Sequence, residues 1–344
     1  MAVSVSPVST CPWRSWPWWR PRRYEGYITR RQRPTSWGVE RCCRRPRVCP
    51  GQADRGRPGS VCYRTGNVYH EVPESVGSRA VLLPCDMQYS LVEGERKEPQ
   101  PGSRGTCPVC GGNTVAKCGT KLLWHWSHGR HQSCDPWWEN ETEWHRGWKS
   151  HFPAGNREVV QHDVQTGEKH VADVKTDRGV VVEFQNSPME IGELLSRELF
   201  YKDMVWIVNG ANFAPQFHVL GKLPRPDTEF SRDLMFVPRK HTQLTSMGLF
   251  QRVSEGAGPG KLSEVHAVAT IAPEIDLEYR GHHMFEWTRP RSVWFDANSP
   301  VFLDFGSDDL LLLGVFNQRG RRFVCRTPKT ELVASLGGRF PETF

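Results

Sequence analysis

The spacing of hydrophobic positions changes several times along the chain, and each change marks an element. From Asp135 to Phe152, Trp137, Glu141, Trp144, His145, Trp148 and Phe152 recur at helical spacing. Asp135 suits the N-cap, Pro136 the first helical position, and Pro153 the end. Three strand-like stretches follow: 158–164, 170–176 after a QTGEK turn, and 180–185 after DRG. A second helix is predicted from Ser187, whose Pro188 and Glu190 complete a capping box, with Ile191, Leu194, Leu195 and Leu199 as its apolar face. The run 204–208 reads as a buried strand. The predicted order is αβββαβ, a mixed α/β (α+β) unit whose last step is a crossover.

Outside that unit the pattern is different. Residues 1–86 keep no sustained period and hold ten of the 26 prolines, so they are expected to be a disordered leader. Beyond Leu220, a Pro-rich joint, LPRPDTEF, leads into strand formers and turns over 231–344, expected to form a small β-rich accessory domain. His282 and His283 there are adjacent, so a strand would send them to opposite faces, as ordinary surface residues rather than paired ligands.

Charge and cysteine follow the same division. The chain carries +7, which invites a nucleic-acid reading. Residues 1–86 alone carry +9, with 15 Arg and no Lys, so the remaining 258 residues carry −2 and the body is not basic. Arginine without lysine, with scattered Cys and Trp, is also the composition of an untranslated upstream region of a GC-rich gene read as protein, and Met87 is then the expected start. Six of the eleven cysteines lie before residue 87 at spacings that suggest no disulfide framework, so reduced thiols and a cytoplasmic protein are expected. No hydrophobic run approaches a membrane span, so no membrane partner is expected.

Two stretches carry candidate chemistry. Cys107-Pro-Val-Cys110-Gly-Gly is a knuckle whose two thiolates can share one Zn²⁺. His125 and His128 stand at a zinc-ribbon interval beyond it, while Cys118, His131 and Cys134 compete for the same places. A redox CxxC would require a thioredoxin-like context that is absent here. Four protein ligands would make the site structural, so 87–134 is expected to be a zinc-finger-like module.

The second stretch is HVADVKT with GVVVEFQNS. Alternation puts Glu183 and Gln185 on one strand face and Val180, Val182 and Phe184 on the other, while the turn at 177–179 brings Asp173 onto the adjoining strand. Two carboxylates beside an amide suit Mg²⁺ or Mn²⁺, which can activate water against a phosphodiester. An acid inside VVVEFQ is costly without a partner, which favours a site over an ordinary amphipathic hairpin. On the preceding helix, Glu141 and His145 share a face and could add a metal-facing acid and a phosphate or proton contact; a plain surface pair stays open as the alternative.

CPVCGG, HWSH, ENETEWHRGWK, HVADVKT, VVEFQNS and SRELFY…MVWIVNG, in that order over about residues 87–210, together resemble the competence protein CoiA-like family. The resemblance implies a PD-(D/E)XK-type, restriction-endonuclease-like core over 135–222, preceded by a zinc-finger-like segment. It puts Asp173 at the motif aspartate, Glu183 at the glutamate of E-x-Q, Gln185 where many related nucleases carry Lys, and Glu141 and His145 at the first-helix positions. The expected function is a Mg²⁺-dependent (or Mn²⁺-dependent) DNA endonuclease or DNA-processing nuclease with structural Zn²⁺, acting on DNA that includes single-stranded or branched forms. The alternative is a catalytically inactive nuclease-fold DNA-binding or adaptor protein that keeps the zinc site.

Overall fold

A computed structural model describes residues 61–65, 68–72, 86–128, 134–137, 139–238, 240, 248–256, 264–316 and 321–340. Most of the expectation for the leader lies outside these residues. Within it, strands β1 (Val61–Thr65) and β2 (Val68–Val72) pair as an antiparallel hairpin, in a unit distinct from the body that holds the other described residues.

The body opens with a six-stranded antiparallel sheet of β3 (Asp86–Met87), β4 (Ser90–Val92), β5 (Glu95–Lys97), β6 (Arg104–Thr106), β7 (Asn113–Lys117) and β8 (His125–His128), in the order β3-β8-β7-β6-β4-β5. Between β4 and β5 the two-residue turn Glu93-Gly94 has positive φ at both positions, the handedness that matches strand twist in a tight hairpin. Met87, Cys107, Val109 and Trp126 form the core of this sheet, and Val160 and Val171 of the following segment pack against it.

The rest of the body is built on one sheet. Helix α1 (Glu143–Ser150) precedes β9 (Arg157–His162), β10 (Lys169–Lys175) and β11 (Val181–Gln185); helix α2 (Ile191–Tyr201) then crosses to β12 (Met204–Asn209). The αβββαβ order is therefore present. It continues through β13 (Phe217–Pro224), α3 (Glu229–Arg232), a separate three-stranded sheet of β14 (Leu234–Phe236), β15 (Leu249–Arg252) and β16 (His266–Ala267), then α4 (Ala272–Glu278), β17 (Tyr279–Trp287), β18 (Val301–Asp304), β19 (Asp309–Val315), β20 (Arg322–Pro328) and α5 (Lys329–Ser335).

Nine strands form a single sheet in the order β13-β17-β20-β19-β18-β12-β11-β10-β9, parallel only at β11/β12 and β12/β18. The C-terminal region, expected as an accessory domain, thus shares its sheet with the αβββαβ segment. Apolar clusters lie on both faces: Val182, Phe184, Val205 and Ile207 in one, Val181, Trp206 and Val208 in the other. A strand buried on both faces reads as a continuous apolar run, which is what β12 shows.

Three local expectations give way. Helix α1 begins at Glu143, not after Asp135, because Asp135 is engaged elsewhere: its carboxylate accepts from the N–H of Trp137 (3.0 Å) and of Val171 (2.8 Å) and bonds the His170 ring (2.8 Å). Thr142 is the cap, and His145 fills the reciprocal place of the capping box, its Nδ1 accepting from the Thr142 N–H at 3.1 Å. At α2, Glu190 caps without a side-chain bond, and the predicted apolar face is turned outward: Leu194 is buried, but Ile191, Leu195 and Leu199 are 43–57% exposed. Arg197 and Glu198 face inward instead, with both carboxylate oxygens of Glu198 accepting from Trp206, Asn298 or Ser299. His282 is buried against Phe323 on β17 rather than lying at the surface, and burial lowers its pKa to about 4.

Asp304 at the end of β18 joins the two halves. Its carboxylate accepts from the indoles of Trp144 and Trp148 on α1 (2.9 Å each) and from Gly306 N–H, and pairs with Lys329 of α5 at 2.8 Å. Burial raises its pKa, but these four donors outweigh it and the net shift is down. Asp304→Ala, which leaves the buried Trp148 indole, the half-buried Trp144 indole and an ammonium unpaired, should cost about 3–5 kcal/mol in urea unfolding at pH 7. Because the folded carboxyl titrates below its unfolded value, the gap to wild type should narrow as pH falls below about 4. A cost under about 1 kcal/mol at pH 7 would contradict the joining role.

Candidate functional site

The first candidate centre lies in the six-stranded sheet. Ligand atoms of Cys107, Cys110, His128 and Cys134 all fall within 4.8 Å of one another. Around one Zn²⁺ with Zn–S bonds of ~2.3 Å the edges of a tetrahedron are about 3.8 Å. Cys107 Sγ and Cys134 Sγ stand 3.8 Å apart, and Cys110 Sγ and His128 Nε2 3.3 Å. The knuckle does its part through backbone donors: Val109 N–H points to Cys107 Sγ at 3.3 Å and Gly112 N–H to Cys110 Sγ at 3.4 Å. The bond from Cys134, ahead of the burial that opposes it, lowers the Cys107 thiol to about 5, while burial raises Cys110. This three-cysteine, one-histidine cluster could hold a structural metal such as zinc.

His125, expected as the third ligand, is not part of it; Cys134 stands in its place. His125 and His128 both lie on β8, and an odd separation on a strand sends them to opposite faces. The His125 ring turns instead to the Leu123 carbonyl at 2.7 Å. Cys118 is also outside the cluster, and His131 lies outside the described residues.

The second candidate centre spans β9, β10 and β11. Ladder pairing places Val174 opposite both Arg157 and Val182, so the same register carried one residue further sets Asp173 between Glu158 and Glu183. Three carboxylates from three strands form a row. At Asp173 the side chains replace the β10/β11 ladder: Phe184 N–H donates to Asp173 Oδ2 at 2.9 Å, and Asp173 N–H to Glu183 Oε1 at 3.2 Å.

Each end of the row meets a buried cation. Arg197 of α2 pairs with Glu183 Oε2 at 3.0 Å and also with Glu193 at 2.5 Å. At the other end, Lys149 of α1 pairs with Glu158 at 3.0 Å and with Glu141, and lies 3.8 Å from Asp173 Oδ1. Burial would neutralise this ammonium; the charges of Glu158, Glu141 and Asp173 overcome it and hold its pKa above the ordinary lysine value. Asp173 has the weakest ion pair and the most open side chain of the row, 26% exposed against 5% for Glu183 and 11% for Glu158. Burial, then repulsion from Asp173, raises Glu183 to about 8, with Arg197 opposing.

The remaining sequence candidates are near, in different roles. Glu141 lies just before α1 rather than on it, held by Lys149 and by Arg146 Nε at 2.9 Å. His145 is buried and occupied: with Nδ1 accepting from Thr142, the proton sits on Nε2, which faces the Phe184 carbonyl at 3.1 Å and Glu139 at 3.3 Å. Gln185, also buried, donates to the Ser187 carbonyl and hydroxyl at 3.3 and 3.2 Å. Both brace the end of β11. Glu139 completes the brace by accepting from Asn186 N–H (3.1 Å) and Ser187 N–H.

Lys149, Glu158, Arg197 and Glu139 were missed by sequence reasoning. Lys149 could have been found, since it lies one turn beyond His145 on the same helix face; the others meet partners on other elements, Glu158 on Lys149, Arg197 on Glu183, and Glu139 on Asn186 and Ser187.

The zinc-site geometry predicts one tightly held Zn²⁺ per chain, measured by elemental analysis. Cys134→Ser should lose it and lower the thermal midpoint by more than about 5 °C, whereas His125→Ala should keep it. Retention of zinc by Cys134→Ser with loss in His125→Ala would reverse the assignment.

Among known proteins, no family model, no curated protein and no solved structure matches this chain, so its chemistry is argued from its own residues.

Proposed function

We propose that the chain is a divalent-metal-dependent DNA nuclease of the CoiA-like type, with a restriction-endonuclease-like core and a structural zinc module. The observation that carries this is the acid row, with Asp173 at its centre as the most open and least compensated carboxylate. Surplus anionic charge favours a cation at Asp173 and Glu183: Glu183 is driven up to about 8 by burial and by Asp173 although Arg197 is beside it. Asp173 and Glu183 would hold Mg²⁺ or Mn²⁺ through carboxylate oxygens, the donor type these ions prefer.

When bound, the ion supplies Lewis-acid charge at the scissile phosphate and lowers the pKa of a water. The reaction is hydrolysis: water adds at phosphorus and one P–O ester bond breaks, leaving a phosphomonoester and a hydroxyl. Gln185 carries no charge for the phosphate and is turned to Ser187. Lys149, 3.8 Å from Asp173, supplies a positive charge at the site from another element. Glu141 fixes that ammonium, while His145, Glu139 and Gln185 position β11. DNA as substrate and a cytoplasmic location belong to the same proposal; among the described residues no helix is long and apolar enough to cross a membrane.

A second reading, a catalytically silent nuclease-fold DNA-binding or adaptor protein, draws on the 3.0 Å Arg197–Glu183 pair, which occupies an oxygen the metal would use. Cleavage separates the two. With zinc retained, the full chain should cut DNA on addition of Mg²⁺ or Mn²⁺, and Asp173→Ala and Glu183→Ala should each lower the rate by about 100-fold or more. Metal-dependent cutting that survives both substitutions unchanged would rule out the acid row as the centre, and DNA binding without cutting in any divalent metal would favour the silent reading.

A further inference from the structure

A cavity of about 340 Å³ opens where the β7–β8 connection meets α1. Its lining includes Leu122, Leu123 and Trp124 from that connection, Arg146 from α1, and Glu98. Its volume is at the small end of the range for ligand sites. Leu122 is 71% and Trp124 45% exposed, a high apolar exposure for two positions on one connection.

We infer that this cavity seats an unpaired nucleobase of single-stranded DNA and so gives the site proposed above a preference for single strands; the inference rests on that DNA reading. The Trp124 indole has its polar atom satisfied, Nε1 donating to the Gly119 carbonyl at 3.2 Å, so what it offers a ligand is ring surface. Arg146 adds a guanidinium, a planar cation that stacks on bases, and Lys121 lies exposed on the same connection. The one acid in the lining, Glu98, already accepts from Gln88 Nε2 at 2.8 Å. An aromatic face beside two cations and one acid complements a flat base that carries a phosphate. A base stacked inside a duplex has no free face to present.

The cavity is also wired to the candidate centre. Arg146 donates from Nη2 to the Trp124 carbonyl and from Nε to Glu141, Glu141 pairs with Lys149, and Lys149 faces Asp173. A base on Trp124 is therefore linked to the carboxylates of the row through Arg146, Glu141 and Lys149.

The test is binding of a labelled oligothymidylate, and of its duplex with oligodeoxyadenylate, to the zinc-containing full chain without Mg²⁺ or Mn²⁺, so that cleavage plays no part. The single strand should bind more tightly than the duplex. Trp124→Ala should weaken single-strand binding about tenfold and leave duplex binding unchanged, while Trp124→Phe, which keeps a stacking ring, stays within about threefold of wild type. Leu122→Asp, at an open position that folding does not depend on, should also weaken the single strand and carries the test if Trp124→Ala does not fold. Unchanged single-strand affinity in these variants, or equal losses for single strand and duplex, would overturn the inference. Should no metal support cleavage while Trp124→Ala still weakens the single strand selectively, the base site stands and the nuclease reading falls. Should cleavage depend on Asp173 while Trp124→Ala binds as wild type, the nuclease reading stands and the base site falls.

Discussion

A single buried ammonium organises the candidate site. Lys149 is 4% exposed and draws together carboxylates from the segment before α1, from β9 and from β10. Burying a charge is costly unless it is paired and hydrogen-bonded, so the helix, the hairpin and Glu141 must assemble around it together. Glu158 carries the constraint further, since its carboxylate also accepts from the N–H groups of Gln88 and Tyr89 at 3.0–3.2 Å and so ties the six-stranded sheet to the large one. Glu158 holds this position at φ +45, a left-handed backbone that a side chain bears at a cost of about 1–2 kcal/mol. A strained residue bonded by both a helix and a neighbouring sheet is one that its surroundings over-determine.

The other face of the row follows the same logic. Glu183 lies beneath α2, whose inward face carries Arg197 and Glu198 where an ordinary amphipathic helix would carry leucines. This inversion explains why Ile191, Leu195 and Leu199 are left outside although they share a helical stripe. The row thus has a cation at each end and Asp173 in the middle, with Glu183 pushed toward its protonated form by burial and by its neighbour. The proposed divalent cation would answer that imbalance and would offset the charge of the row toward a DNA phosphate.

Much of this was legible in the sequence. Alternation located β11 within one residue and put Glu183 and Gln185 opposite Val182 and Phe184, because side-chain period is a local property. The DRG turn placed Asp173 beside Glu183 for the same reason. What escaped was long-range. Asp135 looked like a helix cap, but its partners His170 and Val171 lie on β10. The C-terminal strands looked like a separate domain because nothing local announces that β18 pairs with β12. At the three-cysteine, one-histidine cluster, the ribbon interval pointed to both His125 and His128; only knowing that HWSH is a strand excludes one of them and turns attention to Cys134.

The central claim is that Asp173 and Glu183 form a divalent-cation site. Calorimetric titration of the zinc-loaded chain with Mn²⁺ addresses it directly. One equivalent should bind to wild type, and Asp173→Asn, which keeps the shape of the side chain and removes its charge, should abolish binding while zinc stays in place. Binding by the variant equal to wild type, or no binding by wild type, would contradict the account.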